Sequence, residues 1–349
     1  MKIYENLSLG KLVTFTPNKN IPIYNWFYYK EGFSRDFVML FLDKFNVNPG
    51  NVVLDPFVGV GTTLLACKEK GINAIGFDVH PVALFASKVK IENYDIEKLK
   101  KFSSEIFLKK FQKKSTSKIP KFIRKAFSKY VLEDILFFKE VINEIPDEKY
   151  RNFFTLALMN SALKSSYIFK DGGKIKIIKR DVAPLRDMFK RKVKRMIKEF
   201  ENFKEKFKEC EIYVDFCDAR NLKIENETID AVITSPPYLN KIEYSEIYGI
   251  EEYLFFKKEN LPLIRSFIGM KEKENFEIDK FLNYELPFQA KAYFDDMYKV
   301  IKEIFRVCKK NAKLAIVVGD AVFIDKVIDV PKIIAEISEK IGFKVNEII

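Results

Sequence analysis

The stretch Asn51-Val52-Val53-Leu54-Asp55-Pro56-Phe57-Val58-Gly59-Val60-Gly61-Thr62-Thr63 decides the fold. Its first residues form a short aliphatic, β-branched run with no polar alternation, the composition of a strand covered on both faces. Two glycines then let the backbone turn tightly, and Thr62 to Lys70 reads as the helix that follows. Ala74-Ile75-Gly76-Phe77-Asp78 repeats the strand signature, and a further helix runs from Pro81 to about Val89, with proline at its first turn. A βαβα beginning implies a mostly parallel sheet and an α/β fold.

The turn between strand and helix sits where α/β sheets bind cofactors, and Gly59 and Gly61 allow close backbone approach to a ligand. It lacks the lysine of a phosphate-binding loop and the full spacing of a dinucleotide fingerprint. The acid at its start, Asp55, would repel a pyrophosphate but can accept hydrogen bonds or offset a cationic ligand. Asp78 closes the second strand, where a carboxylate can accept both hydroxyls of a ribose. Asp218 closes a third, Ile212 to Asp218, within reach of an adenine amino group; Asp215 lies nearby in the same run. Three sheet-end acids and a glycine turn suit a nucleoside that carries a positive centre and no phosphates. S-adenosylmethionine has that chemistry.

A fourth strand, Ile229-Asp230-Ala231-Val232-Ile233, runs into Thr234-Ser235-Pro236-Pro237-Tyr238. Adjacent prolines neither extend a helix nor donate ladder hydrogen bonds, so the chain becomes a stiff rim of carbonyl oxygens. A hydroxyl precedes that rim and an aromatic ring follows it, an arrangement that can receive a flat ligand bearing an amino group. Lys241, Glu243 and Tyr244 come soon after and are further pocket candidates.

The 349 residues carry 61 Lys and Arg against 49 Asp and Glu, a formal charge of +12 that favours polyanionic partners. The excess is localised. Residues 98–130 hold 12 basic residues and one acid, Glu105, and residues 171–210 hold 14 basic residues and 7 acids. In the second segment Leu185, Phe189, Val193, Met196, Phe200, Phe203 and Phe207 form one apolar stripe of a long helix whose other face is Lys and Arg. Between the two, Phe153 to Met159 reads as a buried helix, and Asp171-Gly172-Gly173 punctuates the chain. The expected organisation is residues 1–97 for an N-terminal arm, with its Trp26–Phe33 aromatic cluster and a helix over Phe37–Leu42, and the cofactor loop. A basic helical insertion over 98–209 and the rest of the sheet over 210–349 complete it. The late elements are a helix over Asn283–Lys309, a strand at Leu314–Asp320, a helix over about 330–340 and a final strand from Phe343.

Four cysteines without a CxxC pair suit a reduced, cytoplasmic setting, and Cys67 and Cys217 read as core residues. A lone histidine, His80, excludes a His-based zinc site. No run reaches membrane-spanning length.

With both motifs in view, the sequence resembles the amino-methylating DNA methyltransferases, and within them the N4-cytosine branch. The resemblance covers roughly residues 15–90 and 210–349. Asp55 to Thr63 is similar to the family's cofactor motif and Thr234 to Tyr238 to its catalytic motif, in which serine at the second position is the usual cytosine-N4 choice. The resemblance implies a Rossmann-like sheet, S-adenosyl-L-methionine as cofactor, double-stranded DNA as substrate and a companion restriction endonuclease. It implies catalytic roles for Ser235, Pro236, Pro237 and Tyr238. The cofactor set is Phe33, Ser34, Asp55, Phe57, Gly59, Gly61, Thr62, Thr63, Asp78, Asp218 and Thr234. Family members commonly place target recognition elsewhere in the chain, so its assignment to residues 98–209 rests on charge and position. On the same ground Arg35, Lys113, Lys114, Arg180, Lys192 and Arg195 are candidate phosphate contacts. A monomer or weak dimer is expected. Adenine-N6 methylation, methylation of structured RNA and a non-catalytic nucleic-acid-binding module are the alternative readings; cytosine-C5 chemistry lacks its cysteine nucleophile.

Overall fold

A computed structural model describes residues 2–171, 174–239, 244–256, 275–323 and 326–349. At its centre lie five parallel strands: β1 (Val52–Asp55), β2 (Asn73–Asp78), β3 (Ile212–Phe216), β4 (Ile229–Thr234) and β5 (Cys308–Ile316). Their order across the sheet is β3-β2-β1-β4-β5. The direction of winding therefore reverses between β1 and β4, the crevice where open parallel sheets bind ligands at the carboxyl ends of their strands. The α/β expectation holds.

Strand alternation divides two of the cores. Val53, Ala74, Val214, Ala231, Ile233 and Ala315 face α1 (Arg35–Lys44) and α2 (Thr62–Lys70). Leu54, Phe77, Ile229 and Val232 face the opposite way, onto α10 (Phe288–Val307) and α11 (Val330–Ile341). Helix α3 (Pro81–Ile91) follows β2 and begins the third core.

That third core contains α4 (Ile96–Leu108), α5 (Lys121–Ala126), α6 (Lys129–Asn143), α7 (Glu148–Lys164) and α8 (Leu185–Phe203), with α9 (Tyr244–Phe255) at its edge. The apolar stripe of α8 drives it inward: Phe189, Val193, Met196 and Phe200 are almost fully buried, and each such side chain contributes about 1.5–3 kcal/mol. The N-terminal aromatic cluster fills the same core. Trp26 meets Phe153 edge-on at 5.3 Å, and its ring nitrogen donates to Glu199 of α8 at 3.0 Å. The fully buried Lys90 ammonium donates to the Tyr24 carbonyl at 3.0 Å, and burial holds its pKa well below the usual lysine value. A small antiparallel hairpin, Ile168–Asp171 with Lys174–Ile177, projects between α7 and α8; Gly172 and Gly173 lie outside the described residues.

Three boundaries differ from the sequence expectations for local reasons. The last sheet strand was expected at Leu314–Asp320 but spans Cys308–Ile316. Beyond Val317, whose N–H reaches the Thr234 carbonyl at 2.9 Å, the neighbouring chain has become Pro236-Pro237 and offers no N–H. The early half of β5 was masked by its polar Lys309–Ala312 segment, where the register against β4 shifts. Helix α10 starts only after Pro287, which disfavours helical backbone before it. At the C-terminus Glu347–Ile348 pairs in parallel with Lys2–Ile3.

Candidate active site

A cavity of about 860 Å³ opens over the carboxyl ends of β1, β2 and β4 and the loop after β3. Phe33, Asp55, Phe57, Gly59, Thr62, Asp78, Asp218, Ser235 and Pro237 line it. Nine residues from three distant sequence segments therefore share one wall. Ser34, Gly61, Thr63, Thr234, Pro236 and Tyr238 are not in the lining and act from behind it.

The glycine turn explains how the backbone reaches the cavity. Gly59 has φ +51° and donates its N–H to Asp78 Oδ2 at 2.8 Å, while a Cβ on it would press to 3.3 Å from the Tyr29 ring. Gly61 has φ +82°, a left-handed conformation that begins α2, and a Cβ there would collide with Ser87 Oγ at 2.5 Å. Asp78 also accepts the His80 N–H at 2.8 Å, so both carboxylate oxygens are oriented by backbone. A carboxylate has about four acceptor sites, so capacity for a ligand hydroxyl pair remains. Burial raises the Asp78 pKa, with the His80 and Gly59 N–H groups opposing the rise.

Asp55 plays a different part from the one its position suggested. Its carboxylate accepts the Thr63 hydroxyl at 2.6 Å, the Thr234 hydroxyl at 2.7 Å and the Phe57 N–H at 3.2 Å. It is 1% exposed, and burial lifts its pKa to about 6 against those three bonds. Asp55 thus ties the cofactor turn to the start of the catalytic motif. Ser34, fully buried, accepts the Phe37 N–H at 3.2 Å as the cap of α1, which fixes Phe33 at the cavity wall.

Asp218 is held by Arg220, which donates to both oxygens, at 2.6 Å from Nη2 and 3.0 Å from Nε. The same guanidinium reaches Asp296 of α10 at 3.2 Å. Asp215 instead faces outward and pairs with Lys88 at 3.1 Å, so Asp218 is the acid of this strand end that reaches the cavity.

In the catalytic motif Ser235 donates its hydroxyl to the Val317 carbonyl at 3.2 Å. A hydroxyl committed as a donor keeps lone pairs for accepting. Tyr238 lies half-buried against Ser235, with its ring edge 3.8 Å from the Cβ position of Gly319. Burial raises its phenol pKa.

Sequence reading missed part of the wall. Tyr29, Glu31, Gly32, Val79 and His80 also line the cavity. Tyr29 stacks on Tyr248 of α9 at 5.7 Å, and the Tyr248 hydroxyl donates to Glu31 at 3.2 Å. Burial raises the Glu31 pKa. His80 caps α3 through Nδ1 and turns Nε2 towards Glu252 at 3.4 Å. The available signals were that Val79 and His80 directly follow a strand-end acid, and that Tyr29 belongs to the aromatic cluster.

A family model described as DNA methylase, for N6- and N4-acting enzymes, matches residues 20–88, which include the glycine turn and Asp78. The chain is 28% identical to the type II methyltransferase M.BsoBI of Geobacillus stearothermophilus, over 96% of this chain and 81% of that protein. It is 27% identical to M.AvaI of Nostoc sp., over 100% and 84% respectively. M.MjaII of Methanocaldococcus jannaschii is 24% identical, over 84% and 71%. This chain belongs to the amino-methylating DNA methyltransferases.

The cations proposed from charge alone are scattered over this methyltransferase. Arg35 forms a two-pronged pair with Glu69 at 2.7 and 2.8 Å, beside buried Tyr24. Lys114 pairs with Glu140, and Arg195 with Glu199 at 2.7 Å. Lys192 is half-buried, and burial beside Lys164 lowers its pKa to about 7. Lys113 is exposed, and Arg180, also exposed, donates to the Ser166 carbonyl at 3.3 Å. Lys241 and Glu243 lie outside the described residues, and Tyr244 begins α9. Cys67 and Cys217 are buried core residues, as expected. Among the described residues no helix is long and apolar enough to cross a membrane.

Proposed function

We propose that this methyltransferase transfers the methyl group of S-adenosylmethionine to the exocyclic N4 amine of cytosine in double-stranded DNA. We further propose that it is the modification partner of a restriction endonuclease acting on the same site, a reading supported by the type II relatives. The observation that carries the cytosine reading is Ser235: a neutral hydroxyl, anchored as a donor to Val317, stands at the cavity wall where an adenine-specific relative would more often carry an acid or amide.

The cavity suits the cofactor. Asp78 is oriented to accept ribose hydroxyls, Asp218 to accept an adenine amino group, and Phe33 to cover the methionine side. When bound, S-adenosylmethionine supplies an electrophilic methyl on a sulfonium. The pyrimidine must leave the duplex to reach such a site. Tyr238 stacks on it, and the Ser235 oxygen and the Pro236 carbonyl accept the two amine protons. Those contacts turn the nitrogen lone pair towards the methyl donor, so the gain comes from positioning and from stabilising charge that develops on nitrogen. Neutral serine is a weak base, so the proton departs after transfer.

Separate measurements of cofactor binding and methyl transfer test this division of labour. Ser235→Ala and Tyr238→Ala should each lower transfer to plasmid DNA by about 10²-fold, the scale of losing one oriented polar contact in a transition state, with cofactor affinity within about threefold of the parent. Collapse of cofactor binding in both variants would refute it.

A further inference from the structure

Most cations of the basic helices are spent on neighbouring acids. Lys100 pairs with Glu97 and Glu201, Lys109 with Glu144, Arg186 with Asp134, and Arg195 with Glu199. One region differs. Residues 118–130, which span α5 and the first turn of α6, carry five basic residues and no acid. Lys121, Arg124, Lys125 and Lys129 are exposed, and among the described residues no carboxylate pairs with them. Interleaved with them are exposed rings: Phe122 is 52% exposed and Tyr130 79%.

The hairpin continues this surface. The Tyr167 N–H donates to the Ala126 carbonyl at 2.8 Å, joining the base of the hairpin to the end of α5. Phe169 and Ile178 are about half exposed there, beside exposed Lys179 and Arg180. Cations interleaved with uncovered flat and apolar side chains are what a nucleic acid requires: charge for phosphates and rings for bases or sugars.

The patch is also connected to the active site. Phe122 meets Tyr253 of α9 edge-on at 6.2 Å, and Lys170 of the hairpin pairs with buried Glu251 and lies 4.0 Å over the Tyr248 ring. Tyr248 in turn stacks on Tyr29 at the cavity wall. We infer that the surface formed by α5, the first turn of α6 and the 168–177 hairpin, rather than the basic face of α8, is the face that docks the DNA duplex beside the flipped base. This rests on the DNA substrate of the proposed function but assigns a surface that charge totals alone did not.

The test compares three proteins by fluorescence anisotropy on a labelled 30-base-pair random duplex over a salt series: the parent, Lys121→Ala/Arg124→Ala/Lys125→Ala, and Lys194→Ala/Lys198→Ala on α8. All substituted side chains are exposed, and circular dichroism together with cofactor affinity confirms folding. The α5 variant should bind at least about tenfold more weakly, and its slope of log affinity against log salt should fall by about 2–3, near 0.9 per lost phosphate contact. The α8 variant should stay within about twofold of the parent. An unchanged slope in the α5 variant, or a larger loss in the α8 variant, overturns the assignment. Tighter binding of an RNA hairpin through the same α5 cations overturns DNA as the occupant. Duplex binding without methyl transfer would count against the proposed function, while the slopes would still judge the surface.

Discussion

Asp55 Oδ1 accepts the hydroxyl of Thr234 at 2.7 Å across the junction of β1 and β4, and Asp55 Oδ2 accepts the hydroxyl of Thr63 at 2.6 Å. The acid of the cofactor turn and the first residue of the catalytic motif are thus one hydrogen-bonded unit at the point where the sheet reverses its winding. The turn carrying Gly59 and the rim carrying Ser235 keep a fixed spacing for that reason, and a donor methyl and an acceptor amine depend on such spacing.

Thr234→Val keeps the shape and removes the donor. The buried carboxylate then lacks one of three bonds, which costs about 1–3 kcal/mol. Thermal unfolding should register that loss. Because the spacing of the two loops is affected, methyl-transfer turnover should fall more than cofactor affinity does.

Asp55 also sets a pH signature. Its folded pKa, raised by burial to about 6 from the ordinary 3.8, means that the folded state holds a proton the unfolded state has released between those values. Stability from this group therefore declines as pH rises from about 4 to about 6 and is flat above. Asp55→Asn removes that dependence. Its stability relative to the parent should improve by roughly 1–2 kcal/mol between pH 5 and pH 8 in denaturant titrations, and a pH-independent difference would contradict the burial of an ionised Asp55.

The two glycines of the turn should separate. Gly61→Ala places Cβ 2.5 Å from Ser87 Oγ at φ +82°, so it should destabilise the protein by about 2 kcal/mol or more and affect folding first. Gly59→Ala has room apart from the Tyr29 ring, so its larger effect should fall on cofactor affinity, measured by calorimetry.

Arg220 holds Asp218 and bridges to Asp296. Arg220→Ala should weaken cofactor binding by about tenfold, the scale of a lost charge-assisted bond. It should also narrow the preference for S-adenosylhomocysteine over its inosine counterpart, which lacks the amino group. An unchanged preference would remove Asp218 from adenine recognition.

Much of the fold was legible because its signals are local. Val52–Leu54 and Asn73–Phe77 read as buried strands from composition, and the Thr62–Lys70 helix follows a glycine turn and ends before Gly71. The β5 boundary was hidden, because a strand's end depends on whether its neighbour still offers N–H groups, and Pro236 and Pro237 belong to a segment some 80 residues away. The cavity acids were legible as strand-end residues. What they touch was not: Asp55 turns to two threonines, and Arg220 clamps Asp218. Tyr29, Glu31 and His80 reach the wall only through packing against α9, a contact between distant segments that no local pattern announces.

The most direct test of the central claim is nucleoside analysis of plasmid DNA incubated with the protein and methyl-labelled S-adenosylmethionine. The label should appear as N4-methylcytosine at one sequence context and disappear with Ser235→Ala. Label recovered as N6-methyladenine would contradict the reading of Ser235 on which the account rests.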